Sequence, residues 1–114
     1  MPAGLHKFVC EQGATFSRTV TVSLSGVALN LTGYTARMKV RPSVGSASTL
    51  LSLTSGAELT LGGVAGTITI LVSATATAAL SPVFGVYDLE IVDSGGFVRR
   101  ILEGKFLVVA EVTV

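Results

Sequence analysis

Apolar and polar residues alternate along most of this chain with a period of two. In TFSRTVTVSL, Phe16, Val20, Val22 and Leu24 fall on one side, and Ser17, Thr19, Thr21 and Ser23 on the other. That is the pattern of a strand with one buried face. Arg18 interrupts the apolar row, so it is placed near a sheet end, where its stem packs and its head stays wet. TARMKVR sends Ala36, Met38 and Val40 one way and Thr35, Arg37, Lys39 and Arg41 the other, while TITILV sets Ile68, Ile70 and Val72 against Thr67, Thr69 and Leu71. Residues 87–109, YDLEIVDSGGFVRRILEGKFLVV, read as two strand arms joined by Asp93-Ser94-Gly95-Gly96. In the second arm, Arg99, Arg100, Glu103 and Lys105 are threaded between large apolar side chains.

Turn residues separate these runs at Ser25-Gly26, at 30–33, 42–48 and 55–56, at Gly62-Gly63 and at 94–96. They supply the positive-φ positions that turns need. Strands recur every eight to twelve residues or so, the rhythm of a sandwich or barrel. Residues 74–80, ATATAAL, break the rhythm: Ser73 caps and Pro82 stops about two turns of helix, whose Ala and Leu face must pack on the core because so short a helix does not persist alone. The expected fold is all-β: an immunoglobulin-like sandwich of seven to nine strands in two sheets, one domain over 1–114, with the helix crossing between sheets. The expected core is Phe16, Val20, Val22, Ala36, Met38, Val40, Ile68, Ile70, Leu80, Tyr87, Leu89, Ile91, Leu102, Phe106 and Val108.

Composition sharpens the picture. Only 13% of the residues are charged and mean hydropathy is +0.71, yet no apolar run approaches the ~18 to 20 residues that span a bilayer. The apolar excess is therefore expected at an interface with other subunits. A net charge of +1 provides no field to gather nucleic acid. The opening MPAGLHKFVC has no signal-peptide pattern, and a single Cys10 has no intramolecular disulfide partner, so a reducing cytoplasm is the expected site of synthesis.

The search for chemistry returns structural readings. His6 and Cys10 lie four residues apart, ~13 Å on a strand, too far for a thiol–imidazole pair. One His, one Cys and seven scattered acids do not make a metal centre. GGVAG at 62–66 lacks the lysine and helix of a phosphate cradle and reads as a hairpin turn. Asp88 and Glu90 are expected to pair across strands with the Arg37, Lys39, Arg41 row or with Arg99 and Lys105. That basic row has no interleaved aromatic for base stacking. With no Trp, and with Tyr34 and Tyr87 read as core or turn packing, a sugar-binding module is the weaker alternative. The chain is expected to be no enzyme and to need no cofactor.

Several stretches together resemble a family of small tailed-phage structural proteins encoded among tail-fibre and baseplate genes, and the N-terminal sandwich domain of phage baseplate upper proteins. They are EQGATFSRTVTV at 11–22, LTGYTARMKVRPSVGS at 31–46, LGGVAGTITILVSATATAAL at 61–80 and GVYDLEIVDSGGFVRRILEGKFLVVAEVT at 85–113. Motif order is kept, with LEG placed before the last strand. The resemblance implies a sandwich scaffold in a virion, a baseplate or fibre-attachment part of the tail, with no enzymatic residues to carry over. A capsid decoration protein is the alternative. Expected partners are other virion structural proteins, with several copies in a three- or six-fold assembly, and neither nucleic acid nor membrane. The candidate interface is Leu5, Phe8, Val9, Arg37, Lys39, Arg41, Val112 and Val114. Its terminal segments, 5–9 and 108–114, are expected to add to a neighbour's sheet without disturbing the core.

Overall fold

β-Branched residues crowd the alternating segments, and their stiff side chains favour the pleated conformation. In the computed structural model, which describes residues 4–24, 26–43, 45, 48–80 and 83–110, these segments form eleven strands: β1 (Gly4–Leu5), β2 (Phe8–Glu11), β3 (Phe16–Thr21), β4 (Ser23–Leu24), β5 (Val27–Ala28), β6 (Thr35–Arg41), β7 (Leu51–Thr54), β8 (Leu59–Leu61), β9 (Thr67–Val72), β10 (Val83–Val92) and β11 (Val98–Val109). A 3-10 turn at Gly63–Ala65 joins β8 to β9, where the glycine-rich turn was expected, and one helix, α1 (Ala74–Ala78), joins β9 to β10.

Nine of the strands make two sheets. The larger runs β1-β11-β10-β6-β7, with β2 also on β11, and the smaller runs β3-β9-β8; β4 and β5 form a separate ribbon. In chain order, β3, β6, β7, β8, β9, β10 and β11 occupy the B, C, C′, D, E, F and G places of the immunoglobulin scheme, with G-F-C-C′ in one sheet and B-E-D in the other. The fold is an all-β, immunoglobulin-like sandwich. Its first two strands lie parallel to β11, along the edge of the larger sheet.

The inner faces follow the alternation. Met38, Val40, Leu59, Ile68, Ile70, Leu89 and Ile91 are fully buried between the sheets. Four rings meet at one end of this core. Phe16 of the smaller sheet lies 5.6 Å from Phe8 and 5.5 Å from Phe106, and Phe8 lies 5.0 Å from Tyr87. Arg18 occupies an inward row, opposite Ile70, but escapes at the side of the sandwich. Its guanidinium stacks over Phe16 and donates to the Val9 carbonyl of the larger sheet.

Five expectations are corrected. Phe8, assigned to the interface, is 2% exposed and part of the ring cluster. The first segment is already paired with β11 in its own sheet, and Val108 is buried within β11, so neither 5–9 nor Val108 is spare for a neighbour, while 111–114 lie outside the described residues. LEG lies inside β11 rather than before it. Val20 and Leu102 only half-bury against the core, because they sit towards its margins. The helix stops at Ala78 instead of Leu80, and its buried residue is Thr77 rather than an alanine, although Leu80 just past its end does pack in the core as expected. Ser73 does cap it, accepting from the Ala76 N–H at 3.2 Å. The Thr77 hydroxyl donates to the Ala14 carbonyl at 2.7 Å and accepts from the Gly13 N–H, which ties the helix to the β2–β3 turn.

Two long-range features place the amino-terminal strands. The Tyr87 hydroxyl donates to the His6 carbonyl at 2.7 Å, and the His6 N–H donates to the Glu103 carbonyl. His6 crosses over Gly104, where any Cβ would collide with the His6 carbonyl, and Gly104 holds φ +155°. A side chain there is excluded by both space and backbone.

Ile70→Ala should cost roughly 2 to 5 kcal/mol of unfolding free energy in urea titration, from lost transfer energy and the residual cavity. Burial pushes the Tyr87 hydroxyl up to about 12, from an ordinary value of about 10. The folded chain keeps this proton where the unfolded chain loses it, so stability should fall as pH rises from about 10 towards about 12. The urea midpoint should show that fall, and Tyr87→Phe should remove this component of it.

Candidate protein-interaction face

The alternation that buries one side of β6, β10 and β11 turns the other side to solvent. On β6 it presents Arg37, Lys39 and Arg41; on β10 it presents Val86, Asp88 and Glu90. β11 needs a correction of phase to match. Leu89 pairs with Leu102, but the next pair is Glu90 with Arg100, which leaves Ile101 as a bulged extra residue. A bulge sets two residues against one and shifts the faces beyond it. Without it, Arg100 would stand opposite Ile91 on the inner side. With it, Arg100 joins Glu103 and Lys105 on the outside.

The outer face then reads in rows across three strands. Arg37, Glu90 and Arg100 form one; Lys39, Asp88 and Glu103 the next; Arg41, Val86 and Lys105 the third. The Arg37 Nε donates to Glu90 Oε1 at 2.8 Å, and Arg100 bridges Asp88 and Glu103 at 3.4 Å each. Asp88 and Glu103 stand directly opposite one another, a like-charge pair that would be unfavourable without that bridge. These contacts are exposed, so each contributes under about 1 kcal/mol. Among the described residues, no carboxylate lies within 4.0 Å of the Lys39 or Lys105 ammonium. The chain has eight Lys and Arg and seven Asp and Glu. Five of the first and three of the second line this one open trough, of about 800 Å³.

An apolar strip continues the same face. Phe84 pairs with Leu107, which pairs in turn with Val9; Phe84 is 81% exposed and Val9 38%. Leu5, paired with Glu103, is 82% exposed. The expected interface residues Leu5, Val9, Arg37, Lys39 and Arg41 are therefore brought onto one face. Val112 and Val114 lie outside the described residues. Phe84 and Val86 were missed as surface contributors, and Lys105, expected to pair with Asp88 or Glu90, stands on this face while those acids pair with Arg100 and Arg37. Val86 and Lys105 follow from the alternation of β10 and β11 once Tyr87 and Phe106 are taken as inward, and Phe84 follows from Val86 two residues on.

His6 and Cys10 are not brought together. His6 lies between β1 and β2, exposed, with its ring edge-on to Phe8 at 4.7 Å. Cys10 is fully buried in β2. Among the described residues, no cluster of three or more His, Cys, Asp and Glu is placed to hold a metal ion, and no helix is long and apolar enough to cross a membrane.

No protein-family model matches the chain, and no curated protein does. Among solved structures, one of VGSC beta subunits, from a photo-crosslinking study of their multimeric cell-adhesive interactions, is similar to this chain at 13% identity; the match covers 92% of each chain, with a TM-score of 0.49. The immunoglobulin-like assignment rests on the strand order, not on this likeness.

Burial pushes the Cys10 thiol up; Arg18 pulls it part-way back and Glu11 adds to the rise. A thiol held protonated inside a sheet is a poor nucleophile. A disulfide reagent should modify Cys10 in the native protein many times more slowly than a free thiol, and at the free-thiol rate in denaturant. Fast native modification would show that β2 is not held on β11.

Proposed function

We propose that this chain is a non-enzymatic structural component of a bacteriophage virion, a baseplate or fibre-attachment part of the tail that acts through protein–protein contacts. The observation that carries the contact reading is the concentration of charge. A chain this poor in charge places more than half of its ionic side chains on one open sheet face, beside an exposed phenylalanine. Charged groups arranged around exposed apolar anchors serve the register and specificity of protein interfaces. The placement in a tail is supported by the ordered motifs that resemble small tail-fibre and baseplate proteins, and copies in threes or sixes fit that setting.

The test is fractionation. Particles that carry the chain are separated into heads and tails, and each fraction is probed with an antibody against it. Recovery with tails, in a multiple of three copies per particle, is the expected result. Recovery with heads would replace this reading with capsid decoration, and absence from both would end the virion assignment.

A further inference from the structure

We propose that the outer face of the six-stranded sheet docks an extended acidic segment of a partner protein, whose carboxylates meet Lys39 and Lys105 and whose neighbouring apolar side chain packs on Phe84 and Leu107. This deepens the reading of the chain as an assembly component and rests on it.

The argument begins with charge. Within the trough, Arg37 is held by Glu90, and Arg100 by Asp88 and Glu103. Among the described residues, no carboxylate lies within 4.0 Å of Lys39 or Lys105, and the Arg41–Val86–Lys105 row contributes no acid of its own. The positive excess is thus local, although the chain as a whole is nearly neutral. An ion pair formed here on docking is worth more than one in open water, because the partner excludes solvent from the trough.

Geometry sets the ligand. Lys39 and Lys105 stand on strands two apart, with β10 between them, and one row apart along the strands. Two strand spacings of ~4.8 Å and a two-residue rise of ~7 Å put their Cα atoms ~12 Å apart. An extended chain covers that distance in three to four residues, at ~3.3 Å each. The matching segment carries two Asp or Glu three to four residues apart. Phe84 lies two residues beyond Val86 on the same face, with Leu107 opposite it. An apolar residue just past the second acid reaches that strip. A phenylalanine 81% exposed beside a charged trough has the make-up of an interface anchor, an aromatic bordered by polar groups.

Other occupants fit less well. A second copy related by two-fold symmetry would set this face against itself, cation excess against cation excess. A nucleic-acid strand would run its phosphates past Asp88, Glu90 and Glu103 in the same trough.

The experiment uses the full chain, isotope-labelled, with amide shifts followed by NMR. The probe is a twelve-residue peptide with two glutamates four residues apart and a leucine two residues after the second. Shifts confined to the face around Lys39, Val86, Lys105 and Phe84, and lost at high salt, are expected. Lys39→Glu with Lys105→Glu should melt within a few degrees of wild type and weaken binding at least tenfold. Phe84→Ser should weaken binding at unchanged salt dependence. No shifts, or shifts elsewhere, would overturn the docking site. So would equal shifts on this face from a single-stranded oligonucleotide, which would assign the face to nucleic acid. A wild-type dimer made monomeric by the double substitution would assign the face to a second copy instead. Fractionation of particles reports tail membership separately: a chain found in tails that fails to bind the peptide removes this docking site and leaves the proposed function standing.

Discussion

The sandwich depends on one cluster of rings. The immunoglobulin scheme commonly fastens its two sheets with a disulfide against a buried tryptophan, and this chain has one cysteine and no tryptophan. Phe16 reaches across from the smaller sheet and packs on Phe8 and Phe106 of the larger, with Tyr87 against Phe8 behind them. Each such pair contributes about 0.5–1.5 kcal/mol beyond the burial of its surface. Phe8 is the member with the least covalent support, since it belongs to a four-residue strand on the sheet edge. Its ring is what makes β2 part of the core, and the neighbouring backbone is arranged to keep it there. Tyr87 holds the His6 carbonyl from below, and Gly104 leaves the room for that carbonyl to pass.

A filled inner side decides what the outer side can be. Met38, Val40, Leu89 and Ile91 have no space for a charge between them, so the ionic residues of β6 and β10 are sent outward together. The bulge at Ile101 brings β11 into the same arrangement. Its consequence is electrostatic as well as steric, because it sets Arg100 where Asp88 and Glu103 would otherwise repel each other. The trough and the core are two sides of one packing solution, and a change of phase on any of the three central strands would spoil both.

Much of this was legible from local pattern. The alternation of β3, β6 and β9, the hairpin of β10 and β11, its Asp-Ser-Gly-Gly turn and the serine cap of the helix all follow from neighbours in sequence, and so do the outward Arg37, Lys39 and Arg41. What escaped depends on partners far along the chain. Thr77 looks like one more small residue of an Ala/Thr helix until Gly13 and Ala14 arrive to bond its hydroxyl. Gly104 reads as a break before a strand, although its role is to make room for His6. Phe8 looks like part of a spare terminal arm because nothing within ten residues shows that β11 will accept a parallel neighbour. A bulge is equally silent, since VRRILEGKF fits either face over short windows and only pairing with β10 fixes which residue is the extra one.

The closed edge in turn favours contact through a face. An added strand from another protein needs a row of free backbone groups, and at 102–103 and 106–109 of β11 those groups are engaged by β1 and β2, themselves only two and four residues long. At the opposite edge of the same sheet stands β7, four residues long, and the smaller sheet ends in the three-residue β8. Short edges of that kind are poor templates for augmentation. The remaining long edge, β3, carries the Arg18 guanidinium folded back onto Phe16 and the Val9 carbonyl, a charge that a pairing strand would have to displace. The outer face of the larger sheet bears no such obstacle. Its strands are satisfied in their backbone, so what they present is side chains alone, and in the docking we propose specificity is set by the spacing of lysines and the position of a phenylalanine rather than by a ladder of amides.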